Sequence, residues 1–124
     1  MTKPKLTLLV AGTLAALLGF KVNADLSETE AQKYVKQGVL VVDVRTVQEY
    51  ETKHLTNVIN IPLDEVKQKF PTMITNKAEI VLLHCRSGRR SSLAEQELRA
   101  LGYTNVFNIG SYEQARKIVE GSIK

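Results

Sequence analysis

The sequence predicts a single α/β domain with a mostly parallel central sheet and helices on both faces. Three observations point to it. The runs Val39–Val42 and Ile80–Leu83 are apolar at every position, as strands buried on both sides must be. Segments with helical spacing alternate with these runs through the last 100 residues. Glycines at 38, 88, 102 and 110 fall at the junctions between them.

The elements follow in order. Ser27 with Glu30 makes a capping box, Ala31, Tyr34 and Val35 form an apolar helix stripe, and Gly38 ends it. Val39–Val42 is the first strand and stops at Asp43. Thr46 caps a short helix through Tyr50, with Glu49 as its reciprocal partner. Val58–Ile61 reads as a short strand stopped by Pro62. Leu63, Val66 and Phe70 recur at helical spacing, and Pro71 is expected to break that helix. Ile80–Leu83 delivers His84 and Cys85 at its end. A helix over 90–101 shows Ala94, Leu98 and Leu101 on one face, and Gly102 stops it. Val106–Ile109 is a further strand, Gly110 turns the chain, and Ser111 caps a last helix through Val119.

Composition narrows the function. The 124 residues are 44% hydrophobic and 24% charged, which suits a folded chain. The formal charge of +4 would suggest a polyanionic partner, but its distribution does not. Residues 1–24 hold Lys3, Lys5 and Lys21 and no acid, leaving 14 basic and 13 acidic residues in the last 100. No stripe of aromatics accompanies the remaining basic residues, so nucleic acid is not the expected partner.

The leader itself has three parts: basic Met1–Lys5, uncharged Leu6–Phe20, then Val22-Asn23-Ala24. This is the layout of a secretory signal peptide, with cleavage expected after Ala24 and a domain over 25–124. An uncleaved anchor or a buried first helix are the alternatives, and membrane contact is expected only if the segment stays attached. The expected location is periplasmic or otherwise exported.

Cys85 is the sole cysteine, so no internal disulfide can form. A lone thiol in an oxidising compartment is a liability unless its chemistry is wanted or it is buried, and a buried structural cysteine is the alternative reading. It stands where open α/β sheets place their sites, at the carboxyl end of a strand. The loop Cys85-Arg86-Ser87-Gly88-Arg89-Arg90 can turn its amides inward at Gly88, and a helix N-terminus follows. With three arginines added, the surroundings favour a thiolate and an anionic ligand. His84 and His54 read as packing or hydrogen-bonding residues. One cysteine and two histidines have no metal-ligand spacing.

This chain resembles the rhodanese family, in particular small single-domain exported members. The loop 85–90 looks like that family's sulfur-carrying active loop. Val42-Asp43-Val44-Arg45, Glu49-Tyr50, His54 and Val58-Ile59-Asn60-Ile61-Pro62 support it, as do Leu101-Gly102-Tyr103 and Val106 leading to Gly110. Lys53 before His54, Thr56-Asn57 after it, and Gly110-Ser111 depart from the family's frequent glycines. The resemblance implies a thiosulfate sulfurtransferase that needs no cofactor and no metal. Cys85 would carry the sulfur; Arg86, Ser87, Gly88, Arg89 and Arg90 would bind a small anionic donor; Asp43 and Arg45 would support neighbouring loops. A thiol or cyanide would accept the sulfur. A sulfur carrier or binding module without turnover is the alternative. A cysteine phosphatase or arsenate reductase fits less well, because related phosphatases place the arginine six positions after the cysteine and Ser91 stands there.

Mass spectrometry of the exported chain is expected to find Asp25 at the N-terminus. A secreted chain still beginning at residue 1 or 2 excludes cleavage.

Overall fold

Most helix starts in this domain are fixed by local chemistry. The Ser27 hydroxyl accepts from the Glu30 amide and the Glu30 carboxylate accepts from the Ser27 amide, opening α1 (Glu28–Lys36). Thr46 and Glu49 repeat the arrangement at α2 (Val47–Thr52). Ser111 and Gln114 do so at α5 (Tyr112–Ile123). The computed structural model describes residues 26–123. The expected leader and its cleavage site lie outside the described residues.

Four strands, β1 (Leu40–Asp43), β2 (Ile59–Asn60), β3 (Val81–His84) and β4 (Val106–Asn108), form one sheet in the order β2-β1-β3-β4. Every pairing is parallel. The α/β expectation therefore holds, and the sheet is parallel throughout. Alternation along β3 sends Val81 and Leu83 to one face and Leu82 to the other. The first face packs with Phe70 and Ile74, Leu98 of α4 (Arg89–Ala100) and Tyr103; the second packs with Ala31 of α1 and Ala115, Ile118 and Val119 of α5.

Element bounds otherwise move by one to four residues, and Leu101, expected on the apolar face of its helix, is the exposed C-cap of α4; two further expectations change. β2 is only Ile59–Asn60, because it lies at the sheet edge and pairs with β1 alone. Pro71 does not break its helix: α3 runs Val66–Met73 through it, after a 3-10 turn at Leu63–Glu65. Proline removes one donor, here the bond to the carbonyl of Lys67, an exposed residue within reach of water. Phe70, fully buried and edge-on to Tyr103 at 4.9 Å, anchors the helix against that loss. The Tyr103 hydroxyl in turn donates to the Ile74 carbonyl just past its end. Tertiary packing overrides the local breaker.

Chain direction places the site. From β1 the chain passes to β2 on one side; from β3 it passes to β4 on the other. The switch point therefore lies between the carboxyl ends of β1 and β3. Asp43 and His84 are register partners there, and the Val44 amide donates to the His84 carbonyl at 2.9 Å. Val44 and Cys85 are the next residues past these ends.

Phe70→Ala is expected to cost about 3–5 kcal/mol of folding stability in urea titrations. Met73→Ala, at an exposed position of the same helix, is expected to change it by no more than about 0.5 kcal/mol.

Candidate active site

A cysteine at a strand end meets unpaired amides because a helix begins soon after. Here Gly88 adopts φ +96 as the N-cap of α4, a conformation that side-chain-bearing residues resist. Its amide turns back to donate to Cys85 Sγ at 3.0 Å. A Cβ at Gly88 would also stand 3.4 Å from the Gly110 backbone. The loop is pinned on that side by the Tyr112 amide donating to the Arg86 carbonyl at 3.1 Å and by a bridge between Ser87 and Ser111. The Cys85 amide donates to the Gly110 carbonyl at 3.2 Å.

Cys85 has 0% exposure. Burial by itself pushes its thiol pKa up. The Ser91 hydroxyl and the amides of Ser91, Gly88 and Ser87 push it down, and the balance falls below the ordinary thiol range. The donors favour a negative charge on sulfur more than burial opposes it.

Sequence reasoning did not single out Ser91 or Asn108. Ser91 is fully buried in the first turns of α4. Its single hydroxyl proton faces three acceptors: Asn108 Oδ1 at 2.7 Å, the Gly88 carbonyl at 3.3 Å and Cys85 Sγ at 3.4 Å. Asn108 is oriented by the Gly110 amide, which donates to its Oδ1 at 2.8 Å, and by its own Nδ2, which donates to the Gly88 carbonyl at 3.1 Å. The end of β4 thereby braces both the loop and the hydroxyl beneath the sulfur. Ser91 stands directly after the loop in sequence; only the parallel pairing of β3 with β4 brings Asn108 to it.

The arginines divide. Arg90 makes a two-pronged contact with Glu49, Nη1 to Oε1 at 2.7 Å and Nη2 to Oε2 at 3.0 Å. The same carboxylate caps α2, and its hydrogen bonds from Arg90 hold it well below the usual range, at about 2. Arg90 thus ties the loop's end to α2, and its own pKa is raised by Glu49 first and by the nearby Cys85 charge after it. Arg86 and Arg89 are exposed and form no ion pair among the described residues. Arg45 binds Asp43 through Nε and Nη2, the latter at 2.7 Å, and reaches the Lys53 carbonyl at 2.7 Å. The pair joins the end of β1 to the end of α2.

His84 points away from the sulfur. Its Nδ1 lies 3.1 Å from the Cys85 carbonyl, and because a carbonyl only accepts, Nδ1 carries the proton. Burial pushes its pKa down, against an opposing pull from Asp43, whose Oδ2 is 3.8 Å from Nε2. His54 stacks on Tyr50 at 3.9 Å and sets its Nδ1 2.8 Å from the Tyr50 carbonyl. Among the described residues no group of three His, Cys, Asp or Glu side chains could hold a metal ion.

Alkylation of Cys85 by iodoacetamide, followed against pH, is expected to reach half its limiting rate below the pH of a free thiol. Ser91→Ala is expected to move that midpoint upward, since a donor to the thiolate is lost. An unmoved midpoint would show that the hydroxyl leaves the thiolate untouched.

The profile of the rhodanese-like domain matches residues 27–117. Thiosulfate sulfurtransferase PspE of Escherichia coli is 41% identical over 69 residues, covering 56% of this chain and 66% of that protein. The putative sulfur carrier protein YrkF of Bacillus subtilis is 35% identical over 69 residues, covering 56% of this chain and 36% of that protein. The chain thus spans less than two thirds of the length of these relatives. Among solved structures, a rhodanese with anions from Escherichia coli superposes with a TM-score of 0.58 at 37% identity, covering 60% of this chain and 88% of that one. The strand-end cysteine, the amide-lined loop and the parallel sheet that carries them are those of a rhodanese-like domain, and this chain belongs to that family.

Proposed function

We propose that this protein is a thiosulfate-type sulfurtransferase that moves sulfane sulfur through a persulfide on Cys85. The Gly88 amide 3.0 Å from Sγ carries the reading, because it shows an amide donor aimed at a buried sulfur. In the first step the Cys85 thiolate attacks the outer sulfur of thiosulfate. The Sγ–S bond forms, the S–S bond of thiosulfate breaks, and its electron pair leaves with sulfite. The terminal persulfide anion takes over the amide donors that stabilised the thiolate. In the second step a thiol or cyanide removes the sulfur and returns Cys85 to the thiolate, a two-stage covalent cycle. No cofactor enters either step.

The loop arginines have separate tasks in this scheme. Arg86 and Arg89, exposed beside the thiol, attract the oxyanion of the donor. Arg90, held by Glu49, keeps the loop's end in place. Asp43 and Arg45 support the facing wall. Because the resting sulfur is enclosed, donor entry requires the Arg86–Gly88 crest to open locally. The same closure shields the thiol from oxidants between turnovers, which suits the exported location that the leader implies. The relative named as a putative sulfur carrier supports a second reading, in which Cys85 loads sulfur without efficient turnover of small donors.

Thiosulfate is expected to add about 32 Da, one sulfur atom, to the protein. Cys85→Ala is expected to abolish both the adduct and thiocyanate formation from cyanide. Undiminished turnover in that variant would end the assignment. An adduct without turnover would favour the carrier, whereas turnover of p-nitrophenyl phosphate or arsenate in place of thiosulfate would favour oxyanion chemistry.

A further inference from the structure

Ser91 and Asn108 meet beside the sulfur, and the bonding capacity of the atoms there leaves one proton with two destinations. The orientation of the Asn108 side chain is fixed by its neighbours. The Gly110 amide only donates and faces Oδ1 at 2.8 Å, whereas the Gly88 carbonyl only accepts and faces Nδ2 at 3.1 Å. That carbonyl also accepts from the Ser92 amide at 3.1 Å, so both its lone pairs are taken. Asn108 Oδ1 has one lone pair left after the Gly110 amide. The buried Ser91 hydroxyl therefore has two acceptors for its proton, Oδ1 at 2.7 Å and Cys85 Sγ at 3.4 Å.

The state of the sulfur decides between them. A Cys85 thiol donates its own proton to Ser91 Oγ, and the hydroxyl donates onward to Asn108, so each member of the chain is satisfied. A thiolate has no proton to give and accepts more strongly. The hydroxyl then turns to Sγ, and Oδ1 is left with the Gly110 amide alone. Asn108 thus competes with the sulfur for the proton that the thiolate needs.

We propose that Asn108 is a positioning residue for the reaction: it holds the Ser91 proton while Sγ is uncharged and yields it when charge arrives there. The inference deepens the sulfurtransferase reading and rests on it for what happens during turnover. On loading, Sγ bonds the outer sulfur of thiosulfate, sulfite leaves with the electron pair of the broken bond, and the negative charge moves to the terminal sulfur. Sγ is then neutral, and the hydroxyl returns to Asn108. On discharge the Sγ–S bond breaks, its electron pair returns to Sγ, and the hydroxyl follows. Rotation about the Ser91 Cβ–Oγ bond is enough; no proton enters or leaves through Ser91.

Other charges around Cys85 are untouched by a change at Asn108. Arg86 and Arg90 belong to the loop, Asp43, Arg45 and His84 to the strand ends, Glu49 to α2 and Tyr112 to α5, while Glu28 of α1 lines a hollow beside Asn108. Among the described residues none of these hydrogen-bonds to the side chain of Ser91 or Asn108.

The experiment is iodoacetamide alkylation of Cys85 against pH in a two-by-two set of variants. Asn108→Ala is expected to lower the midpoint by about half a pH unit, about a threefold gain in thiolate below it, the scale of one neutral hydrogen bond. In a Ser91→Ala background, with no proton left to compete for, the same substitution is expected to produce no fall. A mere brace predicts the opposite sign, because a loosened loop takes donors from the sulfur and raises the midpoint in both backgrounds. Easier opening of the loop changes the limiting rate and leaves the midpoint alone. Asn108→Leu, closer in volume, is expected to repeat the fall and replaces the alanine variant if that one does not fold. A midpoint that rises or holds with Ser91 present, or falls as far without it, overturns the assignment. Wild-type protein that takes no sulfur from thiosulfate overturns the sulfurtransferase reading, while the alkylation midpoints still decide where the Ser91 proton goes.

Discussion

Negative charge on a buried sulfur persists only where hydrogen-bond donors replace the water it has lost. That constraint governs this domain. Cys85 has no exposed surface, yet the Gly88 amide at 3.0 Å and the Ser91 hydroxyl at 3.4 Å converge on its Sγ. Convergence requires Gly88 in a left-handed conformation, and that requires the loop to stay clamped against Gly110 and Ser111. Asn108 closes the arrangement by binding the Gly88 carbonyl, the Gly110 amide and the Ser91 hydroxyl together. Loss of one of these contacts loosens the others, because they share atoms.

The surrounding charges form a frame. Asp43 with Arg45 and Glu49 with Arg90 each join an element of the first half of the domain to the site. Glu49 serves twice, as the cap of α2 and as the anchor of Arg90. A shift of α2 would therefore be felt at the end of the loop that follows Cys85. These two pairs consume their own charge, and among the described residues Arg86, Arg89 and Lys53 form no ion pair. The global charge of the sequence pointed to a polyanion; its local arrangement suits small anions approaching one thiol.

Much of this was legible beforehand where chemistry is local. The capping boxes at Ser27 and Thr46 depend on two residues three apart, and both form as read. The apolar runs lead to β1 and β3 because a strand covered on both faces is apolar along its length, and each takes in a polar residue, Asp43 or His84, only at its carboxyl end. The loop after Cys85 was legible because glycine and a helix start follow within a few residues. Pro71 was misjudged because the breaker is local while Phe70, which holds the helix together, acts through packing on Tyr103. Asn108 and the Arg90–Glu49 pair were missed for the same reason. Their partners lie 20 and 41 residues away in sequence.

By itself, then, the sequence determined the α/β alternation, the helix caps and the place of Cys85 at a strand end, since each follows from residues within one turn or one strand. Tertiary structure decided which donors reach the sulfur, which arginine is bound to a carboxylate and which cations remain free beside the loop. Those outcomes depend on the strand order β2-β1-β3-β4, which sets the ends of β1 and β3 side by side and lays β4 beneath the loop. Short-range patterning cannot encode such a juxtaposition, because it arises only when distant segments are brought together by burial of the sheet between two layers of helices.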